Sequence, residues 1–135
     1  MIKLIVGSKG SGKTKTIIDM MNTAVEETDG HIVCIEKGMK STYNIKSKVR
    51  IIDVDDYNIR GYDQYFGFFM GALAGDYDIV EVYLDGVLKV GGGDLEGLGT
   101  LLDKFTDIAP EHLKIIVTVS CDESELPDSV RKYLD

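Results

Sequence analysis

Apolar residues along the chain gather in five short runs, at positions 2–6, 31–36, 49–54, 79–84 and 113–119, each rich in Ile, Val or Leu and shorter than an ordinary helix. Near-continuous runs of this length are the mark of strands buried on both faces. Between them the apolar positions recur at helical spacing. Ile17, Ile18, Met21, Ala24 and Val25 mark a helix over 13–28 that Gly30 ends. Leu95, Leu98, Leu101, Leu102 and Phe105 mark another, capped by Asp94 after a Gly91-Gly92-Gly93 loop and stopped by Pro110. A third helix starts near Asp63, whose carboxylate can cap it, and Pro127 suits the first turn of a terminal helix running to about Leu134.

Strands alternating with helices predict an α/β fold: a three-layer α-β-α sandwich on a mostly parallel sheet of about five strands. One link breaks the pattern. Only 12 residues separate Glu36 from Val49, without a long helical repeat, so strand 49–54 is either antiparallel or joined by a single short turn, and the order of that edge stays open. Glu81 interrupts a run that should be apolar throughout in a central strand, so it lies near a rim or is paired.

The helix over 63–75 carries Phe66-Gly67-Phe68-Phe69-Met70-Gly71-Ala72-Leu73-Ala74-Gly75 and is apolar on every side, unlike an amphipathic surface helix. Gly67, Gly71 and Gly75 form one smooth ridge, at roughly 1 kcal/mol each relative to Ala, which close packing must offset. Packing between the sheet and other helices is one expectation; a homo-oligomer formed through this helix is the other.

Between the first run and the first helix stands Gly7-Ser8-Lys9-Gly10-Ser11-Gly12-Lys13-Thr14, a complete Walker A, or P-loop, pattern. Gly7, Gly10 and Gly12 let the backbone take φ values that a Cβ would block, so successive amide N–H groups point inward around one anion. The helix starting near Lys13 adds unpaired N–H groups and the positive end of its dipole. Lys13 then reaches the β- and γ-phosphates, Thr14 offers a hydroxyl to Mg²⁺, and Lys15, with Lys3 and Lys9, makes the neighbourhood more positive. The octet therefore predicts nucleotide binding, with ATP and Mg²⁺ as the ligands.

The run 79–84 ends in Asp85, and an aspartate at this strand end of a phosphate-loop protein orients the water shell of Mg²⁺. A strand closed by an ordinary Asp-Gly turn is the plain alternative, and Asp53 and Asp55, at the end of the 49–54 run, compete for the same role.

This order of features resembles the RecA-like (ASCE) branch of phosphate-loop NTPases: the loop from Gly7 to Thr14, the strand 79–84 followed by Asp85-Gly86-Val87, and the strand 113–119 followed by Ser120. The chain also looks like the small bacterial phosphate-loop proteins that often carry a twitching-motility ATPase label, although the motors so named are much larger hexamers with an extra domain. The resemblance implies a RecA-like topology, a sensor contact from Ser120 to the γ-phosphate, and a trans-acting arginine, for which only Arg50, Arg60 and Arg131 exist. It also implies a glutamate that polarises the attacking water, placed just after the magnesium aspartate or at the end of the strand beside the phosphate loop. Here the sequence departs. Gly86 occupies the first place, and Glu36 is the only carboxylate for the second. Three readings stay open: a slow or partner-stimulated ATPase using Lys13, Thr14, Asp85 and Glu36; a module that binds ATP without hydrolysing it; and a small-molecule kinase. A GTP switch is disfavoured, since no Asn-Lys-x-Asp sequence follows a strand.

Composition adds bounds. A chain of 135 residues, 44% apolar and 28% charged, fits one phosphate-loop domain over 1–135. A net charge of −8 disfavours non-specific binding to nucleic acid or anionic membrane, but between positions 37 and 50 Lys37, Lys40, Lys46, Lys48 and Arg50 stand without an acidic residue, either as solvated loop charge or as a polyanion contact. Cys34 and Cys121 lack metal-type spacing and read as core residues. The first apolar run is not a leader, and the longest wholly apolar-or-Gly stretch, 66–75, is far short of the roughly 20 residues that span a bilayer, so a cytoplasmic location is expected.

Overall fold

The computed structural model describes residues 1–38 and 44–134. Its five strands, β1 (Ile2–Gly7), β2 (His31–Glu36), β3 (Val49–Asp53), β4 (Ile79–Asp85) and β5 (Lys114–Ser120), form one sheet in the order β1-β5-β4-β2-β3, with every neighbouring pair parallel. β3 is thus parallel to β2, paired from Ile32 with Val49 to Glu36 with Asp53. Twelve residues reach up to about 40 Å when extended, and a five-residue strand is only about 17 Å long. The return crossing therefore needs no helix.

The helices are α1 (Lys13–Glu27), α2 (Gly61–Gly75), α3 (Val87–Val90), α4 (Leu95–Ile108) and α5 (Asp128–Arg131). Alternation along the strands sorts them into two outer layers. Ile32, Cys34, Tyr83 and Ile116 face α1, where Ile17, Met21 and Ala24 cover them. Val33, Ile35, Val82, Leu84, Ile115 and Val117 face the opposite way, into a core with Phe69 of α2 and Phe105 of α4. Those two rings stand 4.3 Å apart, centroid to centroid, and join the helices. Glu81 is paired: the Tyr83 hydroxyl donates to its Oε1 at 2.7 Å.

Several local expectations change. Asp63 does not cap α2; it sits exposed in the first turn, while the Gln64 side chain reaches back to accept from the Arg60 N–H at 2.8 Å. Gly30 does not end α1, which closes at Thr28; an added Cβ at Gly30 would stand 2.5 Å from Val80 Cγ1, so the glycine serves the approach of β2 to β4. Pro127 is the N-cap of α5 rather than its first turn, and the helix stops at Arg131. Beyond it Tyr133 and Leu134 donate three residues back, to Val130 and Arg131, as the Tyr133 side chain turns to Asp103 on α4. Cys34 is buried and its thiol pushed up by that burial, whereas Cys121 is only half-buried. Among the described residues no helix is long and apolar enough to cross a membrane.

The ridge on α2 is the largest departure. Only Tyr65 and Phe69 of this helix are buried; Gly67, Gly71 and Gly75 are exposed, and a Cβ built on any of them meets nothing within 4 Å. The packing expected to offset these glycines is not supplied by the described residues. Gly71→Ala should therefore raise stability by about 1 kcal/mol in urea denaturation of dilute protein, because the helix loses a flexible residue and gains no clash. A loss of stability instead would show that something else packs on the ridge.

Candidate functional site

A parallel sheet delivers all its strand ends to one edge, and that edge here carries Gly7, Glu36, Asp53, Asp85 and Ser120. Residues 8–12 leave β1 and turn into α1. Gly10 and Gly12 take φ of 86° and 93°, values that L side chains rarely adopt, and Gly12 is the N-cap of α1. Gly7 is needed for a different reason than its φ: an added Cβ would lie 2.4 Å from Ser11 Oγ, so its hydrogen lets the loop fold back on the strand.

Lys13 is buried by its own loop, 8% exposed, and its Nζ donates to the Ser8 carbonyl at 3.0 Å and toward Ser11 Oγ at 3.5 Å. The Thr14 hydroxyl stands 3.3 Å from Asp85 Oδ2, across 71 residues of sequence. Thr118, on the intervening strand β5, donates to Asp85 Oδ1 at 2.6 Å and is 2% exposed. Both oxygens of Asp85 are thereby aimed. Thr118 escaped notice in the sequence, where its only signal is a hydroxyl in the apolar run Ile115-Ile116-Val117-Thr118-Val119.

Asp53 and Asp55 are occupied elsewhere. Asp53 Oδ1 accepts from the Asp55 N–H at 2.9 Å and the Gly38 N–H at 3.3 Å, and Asp55 pairs with Lys37 at 2.6 Å. Ser120 lies in register with Gly7 beside the loop. Glu36 is not at the end of the strand beside the phosphate-loop strand, because β5 and β4 stand between β1 and β2; it is instead in register with Asp85 and 4% exposed.

A cleft of about 880 Å³ opens at this edge, lined by Lys9, Gly10, Gly12, Lys13, Thr14 and Lys15, by Glu36, Lys37, Asp85, Lys89 and Ser120, and by Ile18, Asp19 and Asn22 of α1. Lys3 does not line it, and neither do Arg50, Arg60 and Arg131; the Arg131 guanidinium donates to the Glu123 carbonyl at 2.8 Å. Of the basic run, Lys46 pairs with Glu26, while Lys40 lies outside the described residues.

No family model matches this chain, and no curated protein is significantly similar to it. Its backbone is similar to that of the flagellar accessory protein FlaH from Methanocaldococcus jannaschii, with a TM-score of 0.65 at 15% identity, over 97% of this chain and 65% of that one. The fold is RecA-like. The chain spans just under two thirds of the FlaH length, and at this identity the likeness is one of architecture alone.

Proposed function

We propose that this protein binds ATP with Mg²⁺ in the cleft and hydrolyses it slowly or under stimulation by a partner. The observation that carries the reading is the 3.3 Å approach of the Thr14 hydroxyl to Asp85 beside a complete phosphate loop. A hydroxyl and a carboxylate are hard oxygen donors, the kind Mg²⁺ accepts, so the residues fit the ion. Bound there, Mg²⁺ would neutralise charge on the phosphate oxygens. The loop N–H groups of residues 8–14 hold the β-phosphate, Lys13 exchanges the Ser8 carbonyl for phosphate oxygens, Lys15 adds positive charge, and Ser120 contacts the γ-phosphate. Glu36 takes the proton of the attacking water.

The second reading, a module that holds ATP without turnover, is favoured by one observation. Gly86, at φ 83°, stands where a glutamate would follow Asp85. A kinase lid or polyanion contact from the basic run is less well supported, since Lys37 and Lys46 are already paired. For self-association, the solvent-facing ridge of α2 is the surface offered.

Asp85→Asn tests the metal part. Titration of wild type with ATP should show affinity at least tenfold higher with Mg²⁺ than without, a difference that falls below about twofold in the variant, because one charge-assisted contact is worth about 1.5–3 kcal/mol. Equal Mg²⁺ dependence in both proteins would remove Asp85 from the site.

A further inference from the structure

Outside the phosphate loop the cleft carries a cation that no motif announces. α3 follows β4 directly, and Lys89, on its third residue, lines the cleft with Lys13, Thr14 and Asp85. The segment is firmly held. Val87 is fully buried, Gly86 turns the chain off the strand in a left-handed conformation, and a Cβ there would lie 3.2 Å from Lys37 Cβ. The glycine loop after α3 is clamped by Tyr62, whose hydroxyl donates to the Asp94 carbonyl at 2.7 Å and whose ring fills the place a Gly91 side chain would take, 1.9 Å from the built Cβ.

Charge gives this placement its meaning. Five lysines and three carboxylates line the cleft, so it is positive in a chain of net charge −8, and an anion is the ligand it suits. Lys13 is folded onto its own loop and Lys37 is paired with Asp55. Lys9 and Lys15 belong to the loop side. Among the described residues the Lys89 ammonium makes no hydrogen bond or ion pair, and no arginine enters the cleft. A lysine is a point charge on a flexible four-carbon stem, able to follow a phosphate without a fixed fork geometry.

We infer that Lys89 is the contact that distinguishes a nucleoside triphosphate from a diphosphate, reaching the γ-phosphate from α3 rather than from the phosphate loop and bringing a positive charge that none of the arginines supplies there. The inference rests on the nucleotide reading above. Lys89→Met keeps the stem and removes the charge, on an exposed side chain whose loss leaves the buried Val87 anchor in place. Calorimetric titrations with the β,γ-imido analogue of ATP and with ADP, each with Mg²⁺, should show at least tenfold weaker binding of the analogue, ADP within twofold of wild type, and recovery in Lys89→Arg. Unchanged affinity for the analogue, or equal losses for both nucleotides, overturns the assignment while leaving the nucleotide reading intact. A wild-type protein that binds neither nucleotide overturns both.

Discussion

Lys13→Met should weaken ATP binding at least tenfold while the protein stays folded. Methionine keeps an apolar stem where Lys13 Cγ lies 3.7 Å from the position of a Gly7 Cβ, beside the turn that the Ser11 N–H closes on the Ser8 carbonyl. What it removes is the ammonium. Each charge-assisted bond from that group to phosphate contributes about 1.5–3 kcal/mol, and a tenfold change in affinity corresponds to about 1.4 kcal/mol, so loss of a single bond already meets the threshold. The bond to the Ser8 carbonyl, 3.0 Å long, works against this estimate from one side only. Lys13 must give it up on binding phosphate, which lowers the wild-type affinity and therefore narrows the gap to the variant. Its acceptor is neutral, though, whereas a phosphate oxygen carries charge as well, so the ammonium gains more from the phosphate contact than it gives up at the carbonyl. Isothermal calorimetry with ATP and Mg²⁺ measures the difference, and a thermal melt of each protein without nucleotide separates a binding defect from loop collapse. Equal affinities in two folded proteins would falsify phosphate binding by this loop.

The sheet was legible because strands buried on both faces leave apolar runs that polar loops cannot imitate, and each strand lies within one residue of its run. The three-layer arrangement followed from their alternation with helices. Strand order did not, since nothing local in Lys114–Ser120 says that it enters between β1 and β4. That one fact moved Glu36 from beside the phosphate-loop strand to beside Asp85. Four-residue α3 is too short to show a period, so Lys89 could not be placed on any wall. Caps were read correctly where the acceptor precedes the helix, as with Asp94 and the Gly97 N–H at 2.9 Å, and missed where it lies within, as with Gln64. Gly7 and Gly30 show a further limit. A glycine required by a close approach from a neighbouring segment looks in sequence like one required by its own φ or by a helix end, and only tertiary contacts tell them apart. The octet names one part of the cleft lining; the rest comes from β2, β4, α3 and β5, brought there by topology.

Glu36→Gln should lower the turnover of ATP by 10²–10⁴-fold and leave its affinity within a few-fold of wild type. The position argues for this. Glu36 is in register with Asp85 on adjacent parallel strands, whose backbones lie about 4.8 Å apart, so its carboxylate arises one strand spacing from the proposed metal ligand, within the lining of the cleft. At 4% exposure it is shielded from bulk water yet still lines the cleft, as a base acting on one ordered water must be. Glutamine has the same length and can still orient that water, but it cannot take the proton, so binding should survive where chemistry does not. The variant also tests the cost of burying a charge. If Glu36 were only a structural residue, replacing its carboxylate by an amide would shift stability and leave turnover alone. Phosphate release at saturating ATP, read beside a denaturation curve, separates the two: turnover lost with stability kept identifies the base, whereas turnover kept with stability changed returns Glu36 to the framework of the sheet. Tight binding of ATP by wild type with no phosphate released at all would leave the module reading standing, with Gly86 in the place of the missing glutamate as its physical cause.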